Sequence, residues 1–250
     1  MSSLKGVRLK LGRAREQRYL IQTEIRSVWD EEHHRPKSYI NSNCGDQVWY
    51  VPGRVPPPPD SLSLLVGECL YNFRSSLDHL AWELDRSPGK HTMFPLARCE
   101  EEFRLNRLRG MSDLAIAMIV NTQPCYGVNR VANTWLWALE TFMNIDKHRH
   151  LNLMMGSIGD VTLWDPPSSP HFLLEGPMDH DTVVAIFPAD GMVSQFGISP
   201  TVHFRDAWEV GYRQSLLQTL IGIDTILAYL YNDFRAAFFP AAPVWPLPER

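Results

Sequence analysis

Arg74, Asp78 and His79 stand within one short stretch, Tyr71-Asn-Phe-Arg-Ser-Ser-Leu-Asp-His-Leu-Ala-Trp82, and a second polar cluster follows at Asn144-Ile-Asp-Lys-His-Arg-His-Leu151. Both interrupt otherwise apolar helical patterns, and a helix that only packs seldom carries Arg, Asp and His so densely beside core residues. An imidazole moves a proton near neutral pH, and a guanidinium holds a phosphate and its developing charge with two parallel hydrogen bonds. The combination suits metal-independent phosphodiester cleavage. In that chemistry His79 is the general acid/base, Arg74 the phosphate clamp and Asp146 the group that orients one of them. Asp78 is a less direct helper, and Asn72, Lys147, His148 and Arg149 are candidates for substrate contact.

The same residue types suit a divalent metal. Glu68 and His79, eleven residues apart, share a helix face with Asn72, and Asp146, His148 and His150 could complete a carboxylate–histidine shell of the kind built inside bundles. Against this, neither cluster holds a Glu-x-x-His pair, and histidines at i and i+2 do not share one helical face. A third reading needs no chemistry: the clusters are salt bridges inside a binding or interaction module.

These groups must be placed by the elements around them. Leu20, Ile21, Ile25, Val28 and Trp29 predict a helix from about Ala14 to Glu31, closed by Arg35-Pro36. Tyr39-Ile40 and Val48–Val51, around Asn43-Cys-Gly-Asp46, read as a hairpin. Pro56–Pro59 leads to Asp60, a good N-cap for a helix that runs to about Arg86. Projected at about 100° per residue, Val66, Leu70, Phe73, Leu77, Leu80 and Leu84 form its apolar face. Glu68, Asn72, Ser75, His79 and Glu83 lie nearly opposite, with Arg74 and Asp78 on the boundary, four residues apart and able to pair.

Helical pieces are expected near Glu100–Arg109 and Ser112–Asn121, and a strong helix over Val131–Lys147. Trp135, Leu136, Leu139, Phe142 and Met143 define the apolar arc of the latter, with Asp146 near its centre. A buried charge there needs a partner, since an unpaired one costs several kcal/mol, and Arg74 or His79 across the bundle would supply it. The texture then becomes β-favouring through 151–205, and a closing helix is expected over 208–236. The expected fold is one domain over 1–250, mainly α: a helical bundle (14–150, with a short hairpin near 39–51) carrying a small antiparallel β insertion before the last helix, α+β overall.

The stretch Arg74-Ser-Ser-Leu-Asp-His79 resembles the Arg-x4–6-His signature of the HEPN superfamily, helical bundles that include RNA-cleaving toxins and phage-defence proteins. The resemblance implies Arg74 and His79 as a catalytic pair, a site formed across a homodimer, and RNA cut through its own 2′-hydroxyl without a cofactor. Positions five apart on a helix point about 140° from one another, so convergence of the pair needs a kink, a helix end or a partner chain. The segments Gly67–His79 and Asn144–Arg149 are also similar to a set of uncharacterised bacterial proteins, which implies no activity.

Composition narrows the remaining classes. A net charge of −4 argues against a broadly basic nucleic-acid coat, and 44% hydrophobic with 21% charged residues argues against disorder. Lys5, Arg8, Lys10, Arg13, Arg15 and Arg18 are opposed locally only by Glu16, as a solvated helix face or a phosphate-attracting patch. Cys44, Cys69, Cys99 and Cys125 form no CxxC. No signal peptide is evident, and the most apolar stretch, Leu216–Leu230, is short for a membrane span and broken by Gln218 and Asp224. A cytoplasmic protein with reduced thiols and no membrane association is expected. P-loop, GxGxxG, GxSxG and HExxH motifs are absent.

Overall fold

The computed structural model describes residues 4–28, 35–97, 100–103, 105–125, 130–149, 151–156, 161–164, 172–173, 178, 180–198, 201–205 and 214–248. Trp29, Cys99, His150 and the start of the expected closing helix at 208 lie outside the described residues. The chain is helical with antiparallel β-structure, an α+β fold. Its described helices are α1 (Lys5–Val28), α2 (Asp60–Leu84), α3 (Asp113–Asn121), α4 (Arg130–His148) and α5 (Leu216–Phe238). Two compact units form, one from residues 1–21, 64–151 and 217–250, the other from 22–63 and 152–216.

The helical unit follows the apolar spacing of its sequence. In α2 every residue of the expected apolar face is buried, and Asp60 puts its carboxylate in the first turn, where the helix dipole favours it. Ser112 caps α3, its hydroxyl accepting from the Ala115 N–H. The first helix corrects the sequence reading: it begins at Lys5, not near Ala14. Val7, Leu11, Ala14, Ile21 and Ile25 continue one buried stripe through the basic run, whose long side chains hide the period. That run is neither one solvated face nor one patch. Arg13 pairs with Glu16 at the surface, Lys10 donates to Asn72, and Arg15 and Arg18 turn inward.

Side-chain pairs give the packing. Lys10 meets Asn72 and Gln17 meets Glu68, so α1 and α2 run antiparallel; Arg74 approaches Glu140 and Gly67 meets Asp146, so α2 and α4 do too. Helix α5 begins at Leu216 and buries Leu216, Leu220, Ile223, Leu227, Leu230 and Phe234, the expected stripe. The indole of Trp135 lies flat against Gly222 of α5, leaving no room for a Cβ. Gly222→Ala is therefore expected to destabilise, by up to about 2 kcal/mol. Overpacking of about 1–3 kcal/mol outweighs the gain of about 1 kcal/mol in helix propensity. Urea unfolding checks the sign, since an alanine with room would stabilise. After α5 the chain folds back, the Trp245 backbone N–H and C=O both bonded to the Asn232 amide and the Tyr231 hydroxyl donating to the Pro243 carbonyl.

In the second unit the expected hairpin is present, β1 (Lys37–Ile40) with β2 (Gln47–Arg54), closed through Gly45 at φ +79°. It does not stand alone. β2 pairs with β6 (His180–Phe187), which also pairs with β5 (Phe172–Leu173), giving an antiparallel sheet of order β1-β2-β6-β5. Two further ladders join β3 (Leu153–Gly156) to β8 (Thr201–Phe204) and β4 (Val161–Trp164) to β7 (Gln195–Ile198). Trp49, Phe187 and Phe196 pack together, and the buried Gln47 amide exchanges two hydrogen bonds with the Val193 backbone. No helix among the described residues is long and apolar enough to cross a membrane.

Candidate functional site

Helix α2 places Arg74 on the edge of its apolar face, and packing against α4 leaves the residue only 8% exposed. A buried guanidinium needs acceptors on several sides, and three are present. Arg74 Nη1 donates to Asp78 Oδ1 at 2.8 Å, Nη2 donates to the Phe94 carbonyl at 2.7 Å, and Nε lies 3.6 Å from Glu140 Oε2. Asp78 Oδ1 also accepts from the Phe94 N–H at 3.0 Å. Arg74 and Asp78 thus grip both polar backbone groups of Phe94, a fully buried residue in a segment that is neither helix nor strand. The next tie is at Ala97, whose N–H donates to Gln123 just past the C-terminal end of α3. The pair expected from i, i+4 spacing exists as a half-buried staple, with Arg74 buried and Asp78 partly exposed.

The other candidates lie elsewhere. His79 is exposed and packs on α1, where a Cβ at Gly6 would come within 2.7 Å of its Nδ1. Asp146 lies against α2, its carboxylate filling the space where a Gly67 Cβ would stand, at 2.6 Å. Gly67 and His79 are separated by twelve residues, or about 18 Å of helix. Within one chain the expected partnership of Asp146 with Arg74 or His79 is therefore replaced: Arg74 closes on Asp78 and Glu140, and His79 on α1. Asn72, placed opposite the apolar face and a candidate for substrate contact, is buried. Its amide donates to Gln17 and to the Glu68 carbonyl, and its oxygen accepts from Lys10. Lys147, His148 and Arg149 are exposed at the C-terminal end of α4, where positive charge complements the helix dipole.

The alternative metal set is corrected by the same distances. Glu68 and His79 share a face but stand about 16 Å apart along the axis, and Glu68 accepts from Gln17. Among the described residues no group of three His, Cys, Asp or Glu side chains could hold an ion.

Sequence reasoning missed two participants. Glu140 is the one acid in α4 before Asp146, and its position amid apolar residues was the available signal. Asp224, noticed only as a break in an apolar stretch, is fully buried in α5. It takes two bonds from Arg15 Nε, at 2.9 and 2.8 Å, with Arg18 Nε 3.9 Å away. Burial pushes its carboxyl above the ordinary carboxylate range against the pull of both arginines. Burial likewise raises the Cys69 thiol, which donates to the Ala14 carbonyl and is held in its unreactive form.

Chemically, the arrangement fastens helices and an irregular segment together by charge-assisted bonds. Among the described residues of the two clusters, Arg74, Asp78 and His79 are not brought together as a nucleophile–base pair. Comparison with family models, with curated proteins and with solved structures finds no match to this chain.

Proposed function

We propose that the chain is a non-catalytic binding module whose two polar clusters hold its helical unit together. One observation carries the reading: Arg74 is buried, donates to Asp78 and the Phe94 carbonyl and pairs with Glu140, so internal acceptors already engage all three of its nitrogens and balance its charge. Cys44 and Cys69 stand as thiols, which supports a reducing compartment, and we infer a cytoplasmic protein.

The exposure of His79 favours a second reading, a HEPN-like, metal-independent ribonuclease whose Arg74 and His79 meet across a homodimer. That arrangement requires Arg74 to exchange an internal carboxylate for the scissile phosphate. Incubating purified protein with RNA separates the two. The binding module leaves RNA intact in both the parent chain and His79→Ala. Cleavage that disappears in His79→Ala, with melting unchanged, establishes the ribonuclease and ends the binding-module reading.

A further inference from the structure

We propose that a cleft at the C-terminal end of α2 binds a phosphate group, free or at the end of a nucleotide-sized molecule. The cleft encloses about 450 Å³ and is lined by Lys90, His91, Asn106 and Arg109 together with Asp85 and Thr92. That volume suits a small ligand.

Its walls are fixed by the one acid among its lining residues. Asp85 Oδ1 accepts from the Ser87 N–H at 2.8 Å, and Oδ2 accepts from the Thr92 hydroxyl at 2.7 Å. The Thr92 hydroxyl in turn accepts from the Gly89 N–H, and the Thr92 N–H donates to the Gly89 carbonyl at 2.9 Å. A tight turn results, with Lys90 and His91 at its tip. On the opposite wall the Arg86 N–H donates to the Gly110 carbonyl, and Asp85 presses so closely on Gly110 that a Cβ has no place there. This contact sets Arg109 beside the turn.

The charge balance follows from those bonds. Asp85 keeps its charge while its oxygens hold the scaffold, and two cations against that one acid leave the lining net positive; among the described residues Lys90, His91 and Arg109 make no ion pair. All three are exposed around the cleft, with the Asn106 amide among them. Two permanent cations, an imidazole and an amide converging on a preformed hollow match a phosphate dianion better than a neutral or cationic ligand. The chain as a whole carries a net charge of −4, so the positive potential at this cleft is local. The inference stands whether or not the Arg74 cluster proves catalytic.

Isothermal titration of the full chain with adenosine 5′-monophosphate, inorganic phosphate and adenosine tests it. Saturable binding of the two phosphates and none of adenosine is expected. Equal affinities assign the site to free phosphate, and tighter nucleotide binding to the larger ligand. The K90A/R109A variant should bind phosphate at least tenfold more weakly with unchanged melting. A variant that removes the same charge elsewhere, R26A/K37A, should bind within twofold of the parent. Absence of saturable phosphate binding, or equal weakening in both variants, overturns the proposal.

Discussion

Replacing Asp224 with alanine is expected to lower the stability of the helical unit by about 3–5 kcal/mol, the range for breaking a buried ion pair from one side. The carboxylate is fully buried and takes both of its close bonds from Arg15. Arg18, beside it, is 3% exposed, and its Nε and Nη2 have no hydrogen-bond partner. Without the acid, the buried Arg18 loses its nearest carboxylate, and Arg15 keeps the Pro246 carbonyl and the face of Trp245. Removing the charges together should cost far less, since apolar groups can replace a buried ionic set at little net loss. Denaturant midpoints of Asp224→Ala and of a triple variant with apolar residues at 15, 18 and 224 decide the matter. A loss below about 1 kcal/mol for the single variant would show that the pair contributes only as an exposed one does.

The same carboxyl has a pH signature. Burial makes the folded chain hold this proton to higher pH than the unfolded chain. Protons bound in excess by the folded state stabilise it at low pH, and that share is lost as pH rises from the ordinary carboxylate range through the raised value. Asp224→Asn, which cannot titrate, should remove this downward slope from the stability profile. An unchanged slope would place its origin in other groups.

Arg74→Ala is expected to cost about 3 kcal/mol, combining a lost charge-assisted bond to a buried carbonyl with two carboxylates left unbalanced. Asp78→Asn should cost about 1 kcal/mol, because an amide oxygen still accepts at that position. The effect has a local fingerprint. The Phe94 N–H donates to Asp78 and its C=O accepts from Arg74, so either change should speed hydrogen exchange at Phe94 before α2 itself opens. A double-mutant cycle with Asp78→Ala should give a coupling of about 1–3 kcal/mol. Additive losses, with exchange at Phe94 unaltered, would mean that the two side chains do not act as one clamp.

The local physics of the chain was readable in advance. The stripe from Val66 to Leu84, the acid opening α2, the turn at Gly45 and the i, i+4 spacing of Arg74 and Asp78 each depend on residues close in sequence. Partners supplied by distant segments were not readable. Nothing near Arg74 announces Glu140 or the Phe94 carbonyl, and nothing near Asp224 announces Arg15 from the other end of the chain. Asp146 lay on an apolar arc as expected, yet a glycine on the facing helix was what made room for it. The metal alternative failed on a quantity the helical projection discards: residues on one face can still be several turns apart along the axis. The divergence of Arg74 and His79 was implied by their five-residue spacing, and the structure keeps it.

The pairing of β2 with β6, sealed by Gln47 and Val193, has a consequence for biosynthesis. Those two residues are 146 positions apart, and a ribosome adding about 5–20 residues per second needs on the order of 7–30 s to produce the second after the first. During that interval β2 has emerged with one hydrogen-bonding edge open, and Trp49 lacks the aromatic neighbour it later finds in Phe196. An open apolar edge of that kind invites pairing with another nascent chain. Slowing elongation between these strands should therefore increase the aggregated fraction, and chaperone binding to the nascent hairpin should reduce it.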